Sequence, residues 1–454
     1  MIKIYTLMLL LLFVFGCTND PPEHGFVKAL PLGESIKTFR AQQVPFDPNE
    51  QVESIVQESG VLTLNKAMAL ALLHSPQLQS FSWQVRRTQA LRIQAGLWPN
   101  PQIDIEMENI AGSGQFRSTS SAETFLGISQ VLEIRKKRKK RTLIADLNSK
   151  LTGFNYEMRR LQVLTEVSLA FVDVLALEES IDIVNQQVKV AEKVFNTVHQ
   201  RVQAGKDAPL EEVKARIALT QSQIEQKKLQ KKLPGLRLAL AAKWGAKQAR
   251  FTRVHGSLNK RLPLPKKTVL QSLVKRHPSV MRWNTEIQQR QARIALAKAN
   301  ALGNPVLMAG YRRFNDVDES AFVVGLSVPL PVTNRNQGNI IAAKAARAQA
   351  VSQRTAAVAE IQIKLALAYS DLSSSYDAAD DLELTVLPNA QKAFESAETG
   401  YQNGKFDYLT VLDAQRTLFT VKNQYINALA DFHKAKAQVQ QLIGQSLDSL
   451  ERKE

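Results

Sequence analysis

The sequence predicts a mainly helical chain with a small β part, and three observations carry that expectation. Ala, Leu, Gln, Lys and Arg dominate while aromatics make up only 7% of the residues, a composition that favours long helices over a compact mixed fold. Apolar residues recur every seven positions over stretches longer than a globular helix needs. Two pairs of short runs that alternate apolar and polar residues interrupt those stretches. With 454 residues and 44% hydrophobic content the chain can bury a sizeable core.

Residues 1–16 are expected to be a targeting segment outside the fold. Lys3 gives a positive start, Leu7 to Phe15 form a short apolar run, and Val14-Phe15-Gly16-Cys17 resembles a bacterial lipobox. The apolar run is far shorter than the roughly 20 residues a membrane-spanning helix requires. Cys17 is then the lipid attachment site and first mature residue, and Thr18 beside it, rather than Asp, points to the outer membrane. The competing reading is an ordinary secretory signal in which Cys17 is incidental. As the sole cysteine, Cys17 leaves no route to a disulfide within the chain or a thiolate metal site. Residues 17–60, with Pro21, Pro22, Pro31, Pro45 and Pro48, read as an extended segment.

The rest of the chain says nearly the same thing twice, at a period of about 200 residues. Ser75-Pro76 is answered by His277-Pro278, Asn100-Pro101 by Asn304-Pro305, Gly127-Ile128-Ser129 by Gly325-Leu326-Ser327, Gly205-Lys206 by Gly404-Lys405, and Trp244-Gly245 by Ile443-Gly444. The first repeat spans 61–245 and the second 267–444, joined by a linker at 246–266 and followed by a tail at 445–454. In each, a helix of about 35 residues is expected to end at the Asn-Pro step, where proline restricts its predecessor. Two short strands, a very long helix, a Gly-Lys turn and a shorter helix follow.

Val167, Val174, Ile181, Val188, Phe195 and Val202 mark one seam of the long helix, and Val163, Ala170, Leu177, Val184, Ala191 and Val198 the other. From Arg138 to Gln203 such a helix runs roughly 100 Å at 1.5 Å per residue. Val358, Leu365, Leu372, Ala379, Val386 and Ala393 repeat the pattern, and Val411, Leu418, Tyr425, Phe432 and Val439 carry it through the returning helix. In Gln102 to Glu108, apolar and acidic residues alternate strictly, as in a strand with lipid on one face and water on the other. Thr124–Val131, Pro305–Arg313 and Ala321–Leu330 are the other candidate strands. Four strands cannot close a membrane barrel, which takes about eight at least, so the chain is expected to associate with itself. Two copies make a filled barrel, and three leave room for a channel.

A net charge of +17 raises nucleic acid as a partner, but the basic residues are spread along helices of an exported chain, so none is expected. His24, His74, His199, His255, His277 and His433 lack ligand spacing, and no nucleophile motif or phosphate-binding loop appears. The expectation is a non-enzyme without metal or other cofactor, with His74 and His277 acting at helix ends.

Pro99-Asn100-Pro101, Glu106-Met107-Glu108-Asn109, Ile128-Ser129-Gln130-Val131-Leu132-Glu133, Gly325 to Pro331, Asn334 to Asn339 and Tyr401 to Lys405 followed by Val411-Leu412-Asp413-Ala414 resemble motifs of the TolC family of outer-membrane factors, in its CzcC-like heavy-metal branch. The resemblance covers nearly everything after residue 60. It implies a homotrimer with one twelve-stranded barrel and a helical tunnel, working with a periplasmic adaptor and an inner-membrane pump of the resistance-nodulation-division type to export heavy-metal cations. Drug efflux and type I protein secretion use similar tubes, and a periplasmic coiled-coil lipoprotein without a pore is the distant alternative. The branch usually has Gly-Gly-Lys-Arg after the second strand, where this chain reads Arg135-Lys136-Lys137-Arg138-Lys139-Lys140-Arg141. That run either meets anionic headgroups or is a solvated helical turn. Asp413 matches one of two gating aspartates of drug-efflux members and Thr410 stands in place of the other, which makes this pair the implied pore constriction; the alternative for Asp413 is a surface pairing with Arg416. Gly205 and Gly404 are expected to end helices in left-handed turns, which places Lys206 and Lys405 at tips where adaptor hairpins would dock.

Overall fold

A computed structural model describes residues 25–41, 59–261 and 263–450. The targeting segment, Cys17 and His24 lie outside the described residues. The chain divides into two compact units, one built from 84–153 and 282–353 with residues 25–27, the other from 28–83, 154–281 and 354–450.

The second unit is helical. β1 (Gly60–Thr63) leads into α1 (Leu64–His74), where Thr63 Oγ1 accepts the Lys66 N–H at 3.4 Å. The single helix expected here is two. Pro76 drives Ser75 to an extended ψ of 118°, and α2 (Pro76–Gly96) starts afresh. The second repeat breaks at the matching step into α5 (Lys267–Val274) and α6 (Pro278–Ala299). There the Ser279 N–H donates to His277 Nδ1 at 3.2 Å. Burial pushes the His277 pKa down to about 4, so the imidazole is neutral and can accept this bond.

The long helix is α3 (Lys137–Gln203), 67 residues, returning through α4 (Pro209–Ala241). Its counterpart is interrupted. α7 (Gln337–Asp381) passes through one π-helical turn at Leu382–Val386 into α8 (Leu387–Gln402), because Pro388 cannot donate to the preceding turn. α9 (Tyr408–Ile443) returns, with Asp407 as its N-cap. Seam residues Val163, Val167, Val174, Val184, Val188 and Val198 are all buried, and Trp244, Leu240 and Leu429 join the central core. The 246–266 stretch is more than a linker: β4 (Phe251–His255) pairs in parallel with β1, Leu62 against Val254.

Residues 28–41 lie as a strap on this unit. The side chains of Arg160 and Glu157, 1% and 2% exposed, form a bidentate pair at 2.7 and 2.8 Å. Arg160 also donates to the carbonyls of Leu30 and Leu32 at 2.9 and 2.6 Å, while Glu157 accepts the Leu30 N–H at 2.8 Å. Further along, the Ala41 N–H donates to Ser82 Oγ at 2.8 Å.

The first unit carries a four-stranded antiparallel sheet of β2 (Gln102–Glu108), β3 (Glu123–Val131), β5 (Val306–Phe314) and β6 (Glu319–Ser327), in the order β2-β3-β5-β6. The last strand lies about two residues earlier than the sequence pattern suggests, because Pro329 and Pro331 cannot donate to a ladder.

Candidate functional site

Register decides what the sheet can do. Ile103 lies opposite Ile128, Ile105 opposite Leu126, Leu126 opposite Tyr311, and Tyr311 opposite Phe322. Ala309 pairs with Val324 and Leu307 with Leu326. One face is therefore apolar across all four strands, although β5 and β6 show weaker alternation when read alone. That face is open, with Ile103 73% and Phe322 84% exposed. A water-facing sheet would not leave so large an apolar area uncovered.

The opposite face is the more polar one, with a charged cluster set among Phe125, Met308 and Val323. Arg312 reaches Glu108 at 3.1 Å and Glu123 at 2.9 Å, and the Asn109 side chain donates to Glu123 at 3.1 Å. Phe125, only 2% exposed, lies flat over Gly127 and Gly310, where any Cβ would meet its ring. β2 and β6 have no further strand partner among the described residues. Open edges cannot persist in hydrocarbon, where every N–H and C=O needs a partner.

At the helix-side rim the basic run is sorted by the structure. Lys137 is buried and donates to the Leu302 carbonyl at 2.6 Å and to Asn304 Oδ1 at 2.5 Å. Arg141 donates to the carbonyls of Ala95 and Leu97 at 2.9 and 3.0 Å and pairs with Glu133 at 2.5 Å. For these two, neither sequence reading holds, since Lys137 is taken up by the loop that follows α6 and Arg141 caps the negative carbonyl end of α2. Arg138 stacks over Trp98 at 4.2 Å. Arg135, Lys136 and Lys139 remain exposed.

The turns that follow α3 and α8 have one shared design. Gly205 (φ 68°) and Gly404 (φ 71°) are left-handed, and the amides of Lys206 and Lys405 donate to the carbonyls of Arg201 and Gly400 at 2.9 and 2.8 Å. Lys206 and Lys405 are exposed. Thr410 is occupied in the α9 cap, its hydroxyl and N–H both bonding Asp407 Oδ1 at 2.6 and 3.0 Å. Asp413 is exposed nearly one turn on, and among the described residues it forms no ion pair with Arg416.

What the sequence does not reveal is a latch between the two turns. Arg201 pairs with Asp207 at 2.8 Å, donates to the Tyr401 carbonyl at 3.3 Å and lies over the Tyr401 ring at 4.7 Å. The Tyr401 hydroxyl donates to Asp207 Oδ2 at 2.5 Å. The Arg201 bond, followed by the Tyr401 bond, holds the Asp207 carboxyl below its usual range, while burial and then Asp207 push Tyr401 upward. Burial also raises the neighbouring Tyr408 to about 12. These partners are 194 residues apart, beyond any local pattern. Tyr401→Phe is expected to weaken the latch by about 1–2 kcal/mol, the lower range for a bond to a charged but partly solvated group. Faster hydrogen exchange at 200–208 and 400–408, with the rest of the chain unchanged, is the expected signature; identical protection in both proteins would rule the latch out.

Among the described residues no group of acidic, His or Cys side chains could hold a metal ion, and no helix is long and apolar enough to cross a membrane. The family profile described as "Outer membrane efflux protein" matches residues 67–246 and 269–445, one segment per repeat. The chain belongs to the outer membrane efflux protein family. The cobalt-zinc-cadmium resistance protein CzcC of Cupriavidus metallidurans is 29% identical over 420 residues, covering 91% of this chain and 99% of that protein. The pyoverdine export outer membrane protein OpmQ of Pseudomonas aeruginosa is 23% identical over 390 residues, 80% of this chain and 81% of its own length. The crystal structure of CusC has the same fold, with a TM-score of 0.73 at 18% identity, covering 90% of this chain and 99% of that one.

Proposed function

We propose that this protein is the outer-membrane channel of a tripartite efflux system for heavy-metal cations. The observation that carries the proposal is the open four-stranded sheet, apolar on one face and more polar on the other, with neither edge paired to a further strand among the described residues. Three copies joined edge to edge make twelve strands, enclosing a water-filled lumen on the polar face. The exposed tips around Gly205, Lys206, Gly404 and Lys405 offer the surface for a periplasmic adaptor and, through it, a resistance-nodulation-division pump. Similarity to a cobalt-zinc-cadmium resistance protein supports metal cations as cargo. Lipid attachment at Cys17 would add a second hold on the outer membrane.

In this arrangement Asp413 forms a ring of three carboxylates, with Thr410 one turn before it, and draws cations into the constriction. Purified protein in planar bilayers is expected to give discrete, cation-preferring conductance. A coiled-coil lipoprotein without a pore gives none. Asp413→Asn is expected to lower the cation-to-anion permeability ratio severalfold while leaving the trimer intact; an unchanged ratio places the constriction elsewhere. Cells lacking the gene are expected to lose tolerance to cobalt, zinc or cadmium. Intact metal tolerance alongside lost drug tolerance would overturn the cargo assignment but leave the channel standing.

A further inference from the structure

Charge is distributed around the helix-side rim of the sheet in a way that channel formation alone does not require. The rim is made of 93–101, 130–145, 297–306 and 328–347, tied together by the Leu132 N–H to the Pro305 carbonyl at 2.8 Å, the Gln130 side chain to the Pro99 carbonyl at 3.0 Å and the Asn336 side chain to the Ala297 carbonyl at 2.8 Å. In sequence these stretches hold the whole Arg135–Arg141 run together with Lys298, Arg335, Lys344 and Arg347, against Glu133 as their single carboxylate. Glu133 is already committed to Arg141.

Two of the run's cations have protein partners that explain them, as Lys137 binds the loop after α6 and Arg141 the carbonyl end of α2. Lys140 bonds the Arg135 carbonyl at 2.5 Å. Arg135, Lys136 and Lys139 are placed at a cost. They crowd the positive N-terminal end of α3, where cations are disfavoured. Arg135 and Lys136 also hold left-handed backbone, φ 56° and 55°, a conformation that side chains with a Cβ resist. Alongside them, exposed apolar groups continue the sheet's apolar face: Leu97, Trp98 (54% exposed), Leu132 and Leu143. Tryptophan beside clustered cations, at the edge of a membrane-facing surface, is the composition of an interfacial belt.

We propose that Arg135, Lys136 and Lys139, flanked by the Trp98–Arg138 stack, form a binding site for anionic phospholipid headgroups on the periplasmic leaflet. The inference rests on the membrane role of the sheet. Headgroup phosphates supply the negative charge that the protein itself does not provide there, and each cation near an anionic surface strengthens the attraction by about fivefold. Arg138 is held over the indole, so its charge faces the same interface.

The test uses the full-length protein reconstituted in phosphatidylcholine vesicles with a minor fraction of phosphatidylglycerol. One lipid at a time carries bromine on its acyl chains, and the Trp98 fluorescence is isolated by difference from Trp98→Phe. Brominated phosphatidylglycerol is expected to quench Trp98 severalfold beyond its mole fraction at low salt, with the excess falling as salt screens the site. The variant Arg135→Gly, Lys136→Gly, Lys139→Gln removes three charges and suits the left-handed backbone, so it is expected to assemble at least as well as the natural protein and lose the excess. Neutralising Lys227, Lys231 and Lys232, exposed on α4, is expected to leave the excess in place. Equal quenching per mole by the two lipids, or an excess that survives the triple variant, overturns the headgroup site. Absence of quenching by either lipid overturns it too, and removes the membrane role of the sheet with it.

Discussion

Arg160→Ala is expected to release the N-terminal strap from the helical unit. The guanidinium gives four hydrogen bonds, two to Glu157 and one each to the carbonyls of Leu30 and Leu32. Alanine leaves a carboxylate buried at 2% exposure without its counter-charge and leaves two strap carbonyls unpartnered. Breaking one side of a buried pair costs about 3–5 kcal/mol. The chain can avoid that cost locally, by lifting residues 28–36 and letting water reach Glu157. The expected result is therefore rapid tryptic cleavage at Lys28 and Lys37, with a smaller loss in the global unfolding midpoint. Arg160→Met with Glu157→Gln removes both charges and keeps the volume, and is expected to cost less than Arg160→Ala alone. If the two proteins are cleaved equally fast, the strap is held by its apolar contacts and the pair is incidental.

The contrast between what was legible in the sequence and what was not follows the range of the interactions. α3 was readable to within a residue, because its seams repeat every seven positions and its stop is a glycine in a left-handed turn. The four strands of the sheet were readable because alternation is a local pattern. The β1–β4 pair was not, since five residues beside Gly256 carry no periodicity and their partner lies about 190 residues away. The breaks at Ser75-Pro76 and His277-Pro278 left a clear proline signal, which serves equally as a mark of duplication and as a helix stop. The π turn before Pro388 is a similar case. Within the basic run nothing local separates Lys137 from Lys136. One meets carbonyls about 165 residues on, and the other faces outward. The Arg201–Asp207–Tyr401 latch escaped for the same reason, its members meeting only after the two repeats pack together.

The largest effect in the sheet is expected at Gly310. Valine is a better strand former than glycine, so propensity alone would favour Gly310→Val. Packing reverses that expectation. A Cβ built on Gly310 clashes with Cε2 and Cζ of the Phe125 ring and lies 2.7 Å from the Gly127 Cα. The neighbouring strand cannot move away without breaking its ladder, in which Gly127 and Gly310 are direct partners. Phe125 must then leave its seat beneath Arg312, whose guanidinium lies 5.8 Å from the ring centre, and swing out from the polar face. Overpacking of this kind costs about 1–3 kcal/mol per chain, and the proposed barrel of three copies would multiply it. Heat-resistant oligomer on unheated gels is expected to disappear for Gly310→Val. Phe125→Ala alone loses about 3 kcal/mol of ring burial. The two sites share one volume, so Gly310→Ala combined with Phe125→Ala is expected to cost less than the sum of the single changes, by about 1–2 kcal/mol. Strict additivity of the two would mean that the ring does not rest on the glycines, and that the flat seat of Phe125 is no part of how the sheet closes.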